Sequence, residues 1–348
     1  MHVRLIGGAA ATEVHGPKAA TARFARAVAH PNVALVKYWG KRDPQLNLPS
    51  VGSISLTLGG LETEVTVEPT KAGADEYWSN GHRVTGEPFR NISSFLRIFR
   101  DLFGLGEHLK VVSRSNFPVA AGLASSASTY AALTLALATY YRLDVSAQEL
   151  SVLARRGSGS ACRSLWGGFV EWYPGERPDG KDSYAAPLPW PASWPIAVVV
   201  AITDPQPKAT ASRSGMQRAL TSPFFRAWVA SQEEDLNEAR QAIALGDLER
   251  LGTVAERNCL KMHAVALSGD PPLCYWRPGT IAAMETVRAL RASGIPAYFT
   301  IDAGPQVKVL CARAHTSPVA DALRGTPGVR QVLVSWPGDD ARVLEVGQ

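Results

Sequence analysis

The sequence has few of the residues that build disulfide frameworks, metal centres or membrane spans. Its four cysteines, at positions 162, 259, 274 and 311, form no Cys-x-x-Cys pair and have no histidine at metal-ligand spacing. We therefore expect reduced structural thiols and no metal site built from side chains. No apolar run approaches the roughly 20 residues of a membrane helix, and residues 1–21 lack the continuous apolar core of a signal peptide. These absences predict a cytoplasmic protein with no membrane partner.

Two common nucleotide signatures are also missing. The sequence contains neither a Gly-x-Gly-x-x-Gly dinucleotide loop nor a Gly-x-x-x-x-Gly-Lys-Ser/Thr phosphate loop, and nothing in it signals a redox or pyridoxal cofactor. The net charge is +5, but the basic residues are scattered, and the nine tryptophans form no stacking ladder between them. We therefore expect an anionic small-molecule substrate and no nucleic-acid partner.

The overall composition is typical of a globular protein. With 46% hydrophobic and 19% charged residues, 348 residues are enough for two ordinary domains. A stretch rich in proline and glycine at 174–195 predicts a surface connection near the domain boundary. We therefore divide the chain into a loose extension at 1–21, an N-terminal α+β domain at 22–190 and a C-terminal α+β domain at 191–348.

Hydrophobic periodicity predicts the order of strands and helices. Ser146 and Glu149 form a capping box at a helix start, and Asn80-Gly81 is typical of a hairpin turn. Strands are predicted at 24–29, 53–58, 62–68, 109–112, 168–172, 196–203, 297–302, 307–311 and 329–335. Helices are predicted at 91–103, 130–141, 146–156, 222–245, 248–266 and 280–293.

The most informative segment precedes the helix predicted at 130–141. It reads Pro-Val-Ala-Ala-Gly122-Leu123-Ala-Ser125-Ser126-Ala. A glycine allows close approach of a ligand, two serines offer hydroxyls, and the free N–H groups of a helix start attract an anion. A lone Ser-Ser-Ala more often only caps a buried helix. The full pattern, however, resembles the nucleotide loop of the galactokinase, homoserine kinase, mevalonate kinase and phosphomevalonate kinase (GHMP) superfamily.

Four further segments resemble one branch of that superfamily, the diphosphomevalonate decarboxylase family. In the family's order they read HPNVALVKYWGKRD at 30–43, RRGSGSACRS continuing into GGFVEW over 155–172, SRSGMQ followed by TSP over 212–223, and YFTIDAGP at 298–305. The resemblance implies two α+β lobes with the active site in the cleft between them, ATP and Mg²⁺ as cofactors, and a homodimer. It also implies phosphorylation of the tertiary 3-hydroxyl of 5-diphosphomevalonate, followed by loss of phosphate and carbon dioxide to give isopentenyl diphosphate.

The same resemblance assigns the candidate site residues. The catalytic candidates are Asp302, Arg213 and Lys37; the substrate-binding candidates are Tyr38, Lys41, Ser158, Ser160, Arg163, Ser212 and Met216; the nucleotide-binding candidates are Gly122, Leu123, Ser125, Ser126 and Lys208. Lys37 and Lys208 are the weaker members of these sets. Asn32 is a further weak candidate that belongs to none of them.

Elementary chemistry explains these residue types. A diphosphate, a carboxylate and ATP bring many negative charges together, and fixed donors and cations must hold them before an oxygen attacks phosphorus. Lys41, Arg163 and the serines of Ser158-Gly-Ser160 suit the substrate diphosphate. The alternative is that Lys41 and Arg163 are solvated surface charges.

Asp302 ends an apolar strand just before Ala-Gly-Pro. An isolated aspartate there is usually a turn former. The resemblance implies instead that its partly desolvated carboxylate takes or orients the hydroxyl proton, with Arg213 as its partner. His263 has no second ligand at a suitable spacing, so we expect it to be structural.

Two positions depart from the family pattern. Gln306 stands where asparagine is usual, and Val51-Gly52 replaces an Asn-Ser or Asn-Asn pair. Both lie near expected ligand segments, so the substrate stays open: 5-diphosphomevalonate, 5-phosphomevalonate giving isopentenyl phosphate, or mevalonate phosphorylated at the 3-hydroxyl without decarboxylation. A non-catalytic relative that binds nucleic acid is the remote alternative.

Overall fold

The computed structural model describes residues 22–118, 125–206 and 212–347. The strands are β1 (Phe24–Ala29), β2 (Asn32–Val36), β3 (Lys41–Asp43), β4 (Leu48–Pro49), β5 (Ser53–Thr57), β6 (Thr63–Pro69), β7 (Glu76–Ser79), β8 (His82–Arg83), β9 (Leu109–Ser115), β10 (Phe169–Trp172), β11 (Ala185–Pro187), β12 (Ile196–Ile202), β13 (Ala297–Ile301), β14 (Val307–Ala312), β15 (Gln331–Ser335) and β16 (Arg342–Gly347). The helices are α1 (Gly86–Phe103), α2 (Ser125–Tyr140), α3 (Ala147–Gly157), α4 (Ser212–Ala219), α5 (Phe225–Ala230), α6 (Gln232–Leu245), α7 (Leu248–Leu267), α8 (Pro278–Ala292) and α9 (Thr316–Arg324), with 3-10 helices at Gly159–Leu165 and Arg313–His315.

The first lobe contains three sheets and helices α1 to α3. The larger sheet has the order β16-β1-β6-β9-β7-β8, the four-stranded sheet has the order β11-β10-β5-β2, and β3 pairs with β4 in a two-stranded sheet. Every second residue of β6 is buried, so one face of the larger sheet packs inward. Helix α2 is apolar around most of its circumference and is buried between this sheet and the first 3-10 helix. Its amino terminus is thereby held at a fixed place in the lobe.

The second lobe is a four-stranded sheet with helices on both faces. The strand order is β13-β14-β12-β15, and β12 is an unbroken apolar run that is buried throughout. Alternate β12 side chains pack against α6 and α7 on one face and against α8 and α9 on the other. The cluster on the α6 and α7 face also contains Val33, Leu35 and Leu56 of the first lobe, so the two lobes share a hydrophobic core.

The chain returns to the first lobe at its end. Strand β16 pairs with β1 in antiparallel orientation, although the predicted division assigns 342–347 to the second domain. Periodicity could not reveal this pairing, because β16 is short and mostly exposed. Trp336 lies between β15 and β16, where the chain passes back to the first lobe, and it packs against Gly59. A Cβ on Gly59 would lie 2.7 Å from Trp336 Nε1, so only glycine fits there. For the rest of the chain, the division into two domains at 190/191 stays a prediction.

Most predicted elements are present. The capping box at Ser146 and Glu149 and the hairpin turn at Asn80-Gly81 are confirmed. The single helix predicted at 222–245 is wrong: α5 and α6 are separate helices that meet at Ser231. Strand β2 was not predicted, since all five of its residues are buried and its sequence shows no alternation.

Candidate active site

A cleft of about 360 Å³ brings together residues of both lobes. Its lining includes the motif residues at the end of β2, the 3-10 helix that follows α3, the start of α2, the start of α4 and the turn after β13. The residues are Asn32, Ala34, Lys37, Tyr38, Trp39, Lys41, Asn47, Glu87, Asn91, Ser126, Tyr130, Gly157, Ser158, Gly159, Ser160, Arg163, Ser212, Met216, Met262, Asp302 and Ala303.

Asp302 lies directly after β13 and is held by two lysines. Lys37 Nζ is 2.8 Å from Oδ1 and Lys308 Nζ is 3.0 Å from Oδ2. Burial by itself would raise the pKa of Asp302, but the two ammonium groups more than offset it and hold the pKa well below its usual range. The carboxylate is therefore ionised at neutral pH, and its side chain keeps 24% of its surface exposed.

Lys37 is fixed from several directions. Its side chain is 1% exposed, and Nζ also donates to the Ala34 carbonyl at 2.7 Å. Its backbone N–H donates to Asn258 at 2.7 Å, and its carbonyl accepts from Gln232 at 2.9 Å. Because Asn258 and Gln232 belong to α7 and α6, helices of the second lobe lock a first-lobe lysine against the catalytic candidate Asp302.

Arg163 is buried in the wall of the cleft, so its interpretation as a solvated surface charge is wrong. Its guanidinium donates to Ser55 Oγ at 2.9 Å, Ser53 Oγ at 2.6 Å and Asn32 Oδ1 at 3.2 Å. These acceptors are neutral, and burial lowers the pKa of Arg163 from its usual value. Since arginine still stays charged, a desolvated cation faces the cleft and favours an anionic ligand.

The serine and glycine segment beside Arg163 packs closely on Tyr38. A Cβ on Gly159 would lie 2.7 Å from the Tyr38 ring, so the family's Ser-Gly-Ser spacing has a steric cause here. Ser158 ends α3, and its hydroxyl is 3.4 Å from that of Ser126. The predicted substrate segment and the predicted nucleotide segment therefore meet in one place.

Lys41 lines the cleft from β3. Its Nζ donates to Asn47 Oδ1, and Asn47 in turn donates to the carbonyls of Arg155 and Arg156, each at 3.0 Å. The lysine is thus a tethered charge at the mouth of the cleft rather than a freely solvated one.

The nucleotide candidates are described only in part. Helix α2 begins at Ser125, and Ser126 lines the cleft, as a phosphate site at a helix start requires. Gly122, Leu123 and Lys208 lie outside the described residues.

In α4, Ser212 and Met216 line the cleft. Arg213 belongs to the same helix, but its side chain lies outside the described residues. Its pairing with Asp302 stays a prediction.

Both departures from the family pattern lie outside the cleft lining. Gln306 is buried and accepts from the backbone N–H of Thr203 at 2.6 Å. Val51 packs in a hydrophobic cluster, and Gly52 lies against Leu236, 3.0 Å from the position of a Cβ. These positions therefore belong to the surroundings of the cleft rather than to its lining.

His263 is structural, as predicted. It is buried on α7, and its Nε2 donates to the Ile301 carbonyl at 3.2 Å. Burial lowers its pKa to about 3, so the ring is neutral at physiological pH.

Sequence reasoning missed Lys308. A signal was available, because the lysine interrupts the otherwise apolar strand Val-Lys-Val-Leu-Cys-Ala. It also missed Glu87 and Asn91, which reach the cleft from α1; nothing in their spacing distinguishes them from an exposed helix face.

Within the described ranges, no helix is long and apolar enough to cross a membrane. The same ranges contain no group of three or more His, Cys, Asp or Glu side chains that could hold a metal ion.

A cleft between two α+β lobes that combines a helix amino terminus, desolvated cations and an ionised carboxylate is the arrangement that phosphoryl transfer requires, in a GHMP-kinase-like fold. Comparisons with known proteins narrow this class. Residues 29–185 match the family model of the diphosphomevalonate decarboxylase-like N-terminal domain, and residues 198–332 match that of the mevalonate 5-diphosphate decarboxylase C-terminal domain. The chain belongs to the diphosphomevalonate decarboxylase family.

Individual proteins agree with the family models. The chain is 36% identical over 309 residues to the diphosphomevalonate decarboxylase of Candida albicans, covering 84% of this chain and 85% of that protein. It is 37% identical over 302 residues to that of Bos taurus, covering 80% and 74%.

Solved structures show the same fold. The mevalonate diphosphate decarboxylase from Staphylococcus aureus superposes with a TM-score of 0.88 at 38% identity, over 93% of this chain and 98% of that one. MDDEF in complex with MVAPP, AMPPCP and magnesium superposes with a TM-score of 0.87 at 39% identity, over 92% and 99%.

Proposed function

We propose that this chain catalyses the ATP-dependent decarboxylation of 5-diphosphomevalonate to isopentenyl diphosphate. The observation that carries the proposal is the ionised Asp302 carboxylate, which opens into the same cleft as buried Arg163 and the start of α2. Family membership and the names of the relatives support the reaction.

Substrate binding follows from the cations of the cleft. The buried guanidinium of Arg163 and the tethered ammonium of Lys41 bind the diphosphate, with the hydroxyls of Ser158 and Ser160. Tyr38, Ser212 and Met216 complete the pocket around the rest of the molecule. Because Arg163 is already desolvated, it binds an anion without a further desolvation cost of its own.

ATP binds at the start of α2. Ser125 and Ser126, together with Gly122, Leu123 and Lys208, hold its phosphates at the helix amino terminus. Magnesium fits this site, because serine hydroxyls and phosphate oxygens are the hard oxygen ligands that it prefers. When bound, magnesium neutralises charge on the phosphates.

Asp302 orients the tertiary hydroxyl of the substrate. Its lowered pKa makes it a weak base but a permanent hydrogen-bond acceptor, so it directs the hydroxyl proton away from phosphorus while the oxygen attacks the γ-phosphate. The new O–P bond forms as the bond to the ADP oxygen breaks, and the hydroxyl proton, which the carboxylate orients, passes to water. Lys37, at 2.8 Å from Asp302, balances the charge of this step, and the family resemblance assigns the same role to Arg213.

Decarboxylation then needs no further group from the protein. The 3-phosphate leaves with the electrons of its C–O bond, positive charge develops at the tertiary carbon, and the electrons of the C–carboxylate bond form the alkene. The products are isopentenyl diphosphate, carbon dioxide, phosphate and ADP.

The two substrate alternatives lack a specific observation in their favour. Gln306 and Val51-Gly52, which opened them, contact backbone and core rather than the cleft. On the family resemblance we also propose a homodimer, a cytoplasmic location and no nucleic-acid partner.

The proposal is tested by incubating the purified protein with ATP, magnesium and each of mevalonate, its 5-phosphate and its 5-diphosphate, with the carboxylate labelled. We expect labelled carbon dioxide chiefly from the diphosphate. A preference for the monophosphate would overturn the substrate assignment, and phosphate transfer without carbon dioxide release would identify a 3-kinase.

A further inference from the structure

Lys308 is a buried cation behind the candidate active site. It lies near the start of β14, its side chain is 3% exposed, and its Nζ is 3.0 Å from Asp302 Oδ2. It does not belong to the cleft lining, whereas Lys37, which holds Oδ1, does. One oxygen of the carboxylate is therefore held by a lysine that lines the cleft, and the other by a lysine that is buried within the protein.

The strand register explains how Lys308 reaches Asp302. Thr300 of β13 and Lys308 of β14 are directly opposite each other in an antiparallel pair, so their side chains share one face of the sheet. Asp302 follows Thr300 by two residues and continues that face. The hairpin itself thus delivers the lysine to the carboxylate.

The other titratable groups around Asp302 are weaker contributors. His263 on α7 is neutral, because burial lowers its pKa to about 3. Cys259 on the same helix is a protonated thiol, because burial raises its pKa. Arg163 acts on Asp302 through space. The two lysines therefore dominate the electrostatics of the carboxylate.

Burying an ammonium ion is costly unless it is paired. A strand at this place could fill its position with an apolar side chain, as Leu310 does on the same face of β14. The lysine is therefore explained better by what it does to Asp302 than by packing.

We propose that Lys308 is a positioning residue for the reaction: from behind the cleft it keeps Asp302 ionised and turned toward the substrate hydroxyl. This inference deepens the proposed function and rests on it for the identity of the substrate.

The test replaces Lys308 with Met, which removes the charge at similar length. We expect kcat to fall about 10- to 100-fold, as for a small misplacement of a reacting group, while AMPPCP with magnesium binds unchanged in calorimetry. The acid limb of the pH profile of kcat/KM should move up by about one pH unit or more. The acid limb moves to higher pH because activity requires ionised Asp302 and is lost as the pH falls through the pKa of Asp302, which Lys308 lowers.

Two further variants separate this role from a merely structural one. Lys308→Gln repeats the loss of charge with a polar side chain. Lys308→Arg keeps the charge and should retain the wild-type acid limb even if kcat is reduced. If the uncharged variants do not fold, the arginine variant decides: a wild-type acid limb supports the proposal, and a raised one contradicts it.

Arg100→Met is the matched control, since Arg100 pairs with a buried carboxylate, Asp75, away from the cleft. It should lower stability and leave the acid limb in place. A Lys308→Met variant with wild-type kcat and acid limb would overturn the proposal, as would an equal shift in Arg100→Met. If the wild type transfers phosphate without releasing carbon dioxide, the proposed function fails, and the pH profile of phosphate transfer still tests Lys308.

Discussion

Asp75 in the first lobe and Asp302 in the cleft are both carboxylates paired with cations, yet their surroundings differ. Asp75 is 3% exposed. Its two oxygens accept from the Arg100 guanidinium at 2.9 and 2.7 Å, and further hydrogen bonds come from Ser93 and the backbone of Leu109. The protein itself fills the acceptor capacity of this carboxylate.

Asp302 is held by two lysines but keeps 24% of its side chain exposed to the cleft. The net effect of the surroundings lowers the pKa of both aspartates, although burial alone would raise it. A lowered pKa therefore does not identify a functional acid, because structural ion pairs produce it as well. What distinguishes Asp302 is access to a ligand next to other charged residues.

The largest expected effect comes from Asp302→Asn. The amide keeps the size of the side chain but loses the charge that orients the substrate hydroxyl, so we expect kcat to fall roughly 10³-fold or more. Calorimetry should show AMPPCP with magnesium bound as in the wild type. A variant that keeps most of its carbon dioxide release would show that Asp302 has no role in the proton step.

Asp75→Asn should show the opposite behaviour. It leaves Arg100 without its buried partner, so the free energy of unfolding should fall by about 3 kcal/mol, measured by urea denaturation. The kcat of the folded fraction should stay at the wild-type value. A large loss of kcat without a loss of stability would remove the distinction between the two acids.

Arg163→Ala tests the substrate side of the cleft. Losing hydrogen bonds from a charged donor to the diphosphate should raise the KM for diphosphomevalonate about 10- to 100-fold, with a smaller change in kcat. The control is Arg155→Ala, since Arg155 is an equally buried arginine whose guanidinium donates to backbone carbonyls outside the cleft. The control should lose stability without a change in KM; equal KM values in both variants would contradict the assignment.

The smallest effect concerns pH. The pKa of Asp75 is lowered in the folded protein. The stabilisation that its ionised carboxylate provides is therefore fully present above the pKa of an unfolded aspartate, about 3.9, and is lost as the pH falls through the folded pKa. Arg100→Met should therefore lower the free energy of unfolding, on the order of 1 kcal/mol or more, at pH 7 and less in acid. Urea denaturation across pH 3 to 7 measures this difference, and a loss independent of pH would show that packing, not charge, dominates.

The sequence was sufficient for the fold class and for most of the cleft. Family motifs identified Asp302 and Arg163, and periodicity identified most strands, because both signals are local. The partners of Asp302 depend on tertiary structure: Lys37 precedes it by 265 positions. Lys308 required the register of a hairpin that periodicity does not fix.

The burial of Arg163 likewise depends on Ser53, Ser55 and Asn32, which come from neighbouring strands far away in the chain. Strand β16 shows the same limit at the level of topology. Its short, exposed sequence contains no information about the sheet that it joins.

The most direct test of the account is the ratio of carbon dioxide to ADP formed by the wild-type protein from carboxyl-labelled 5-diphosphomevalonate with ATP and magnesium. Phosphorylation of the hydroxyl that Asp302 orients, followed by elimination, predicts one carbon dioxide for each ADP. ADP formation with the label retained in a phosphorylated product, or no ADP at all, would contradict it.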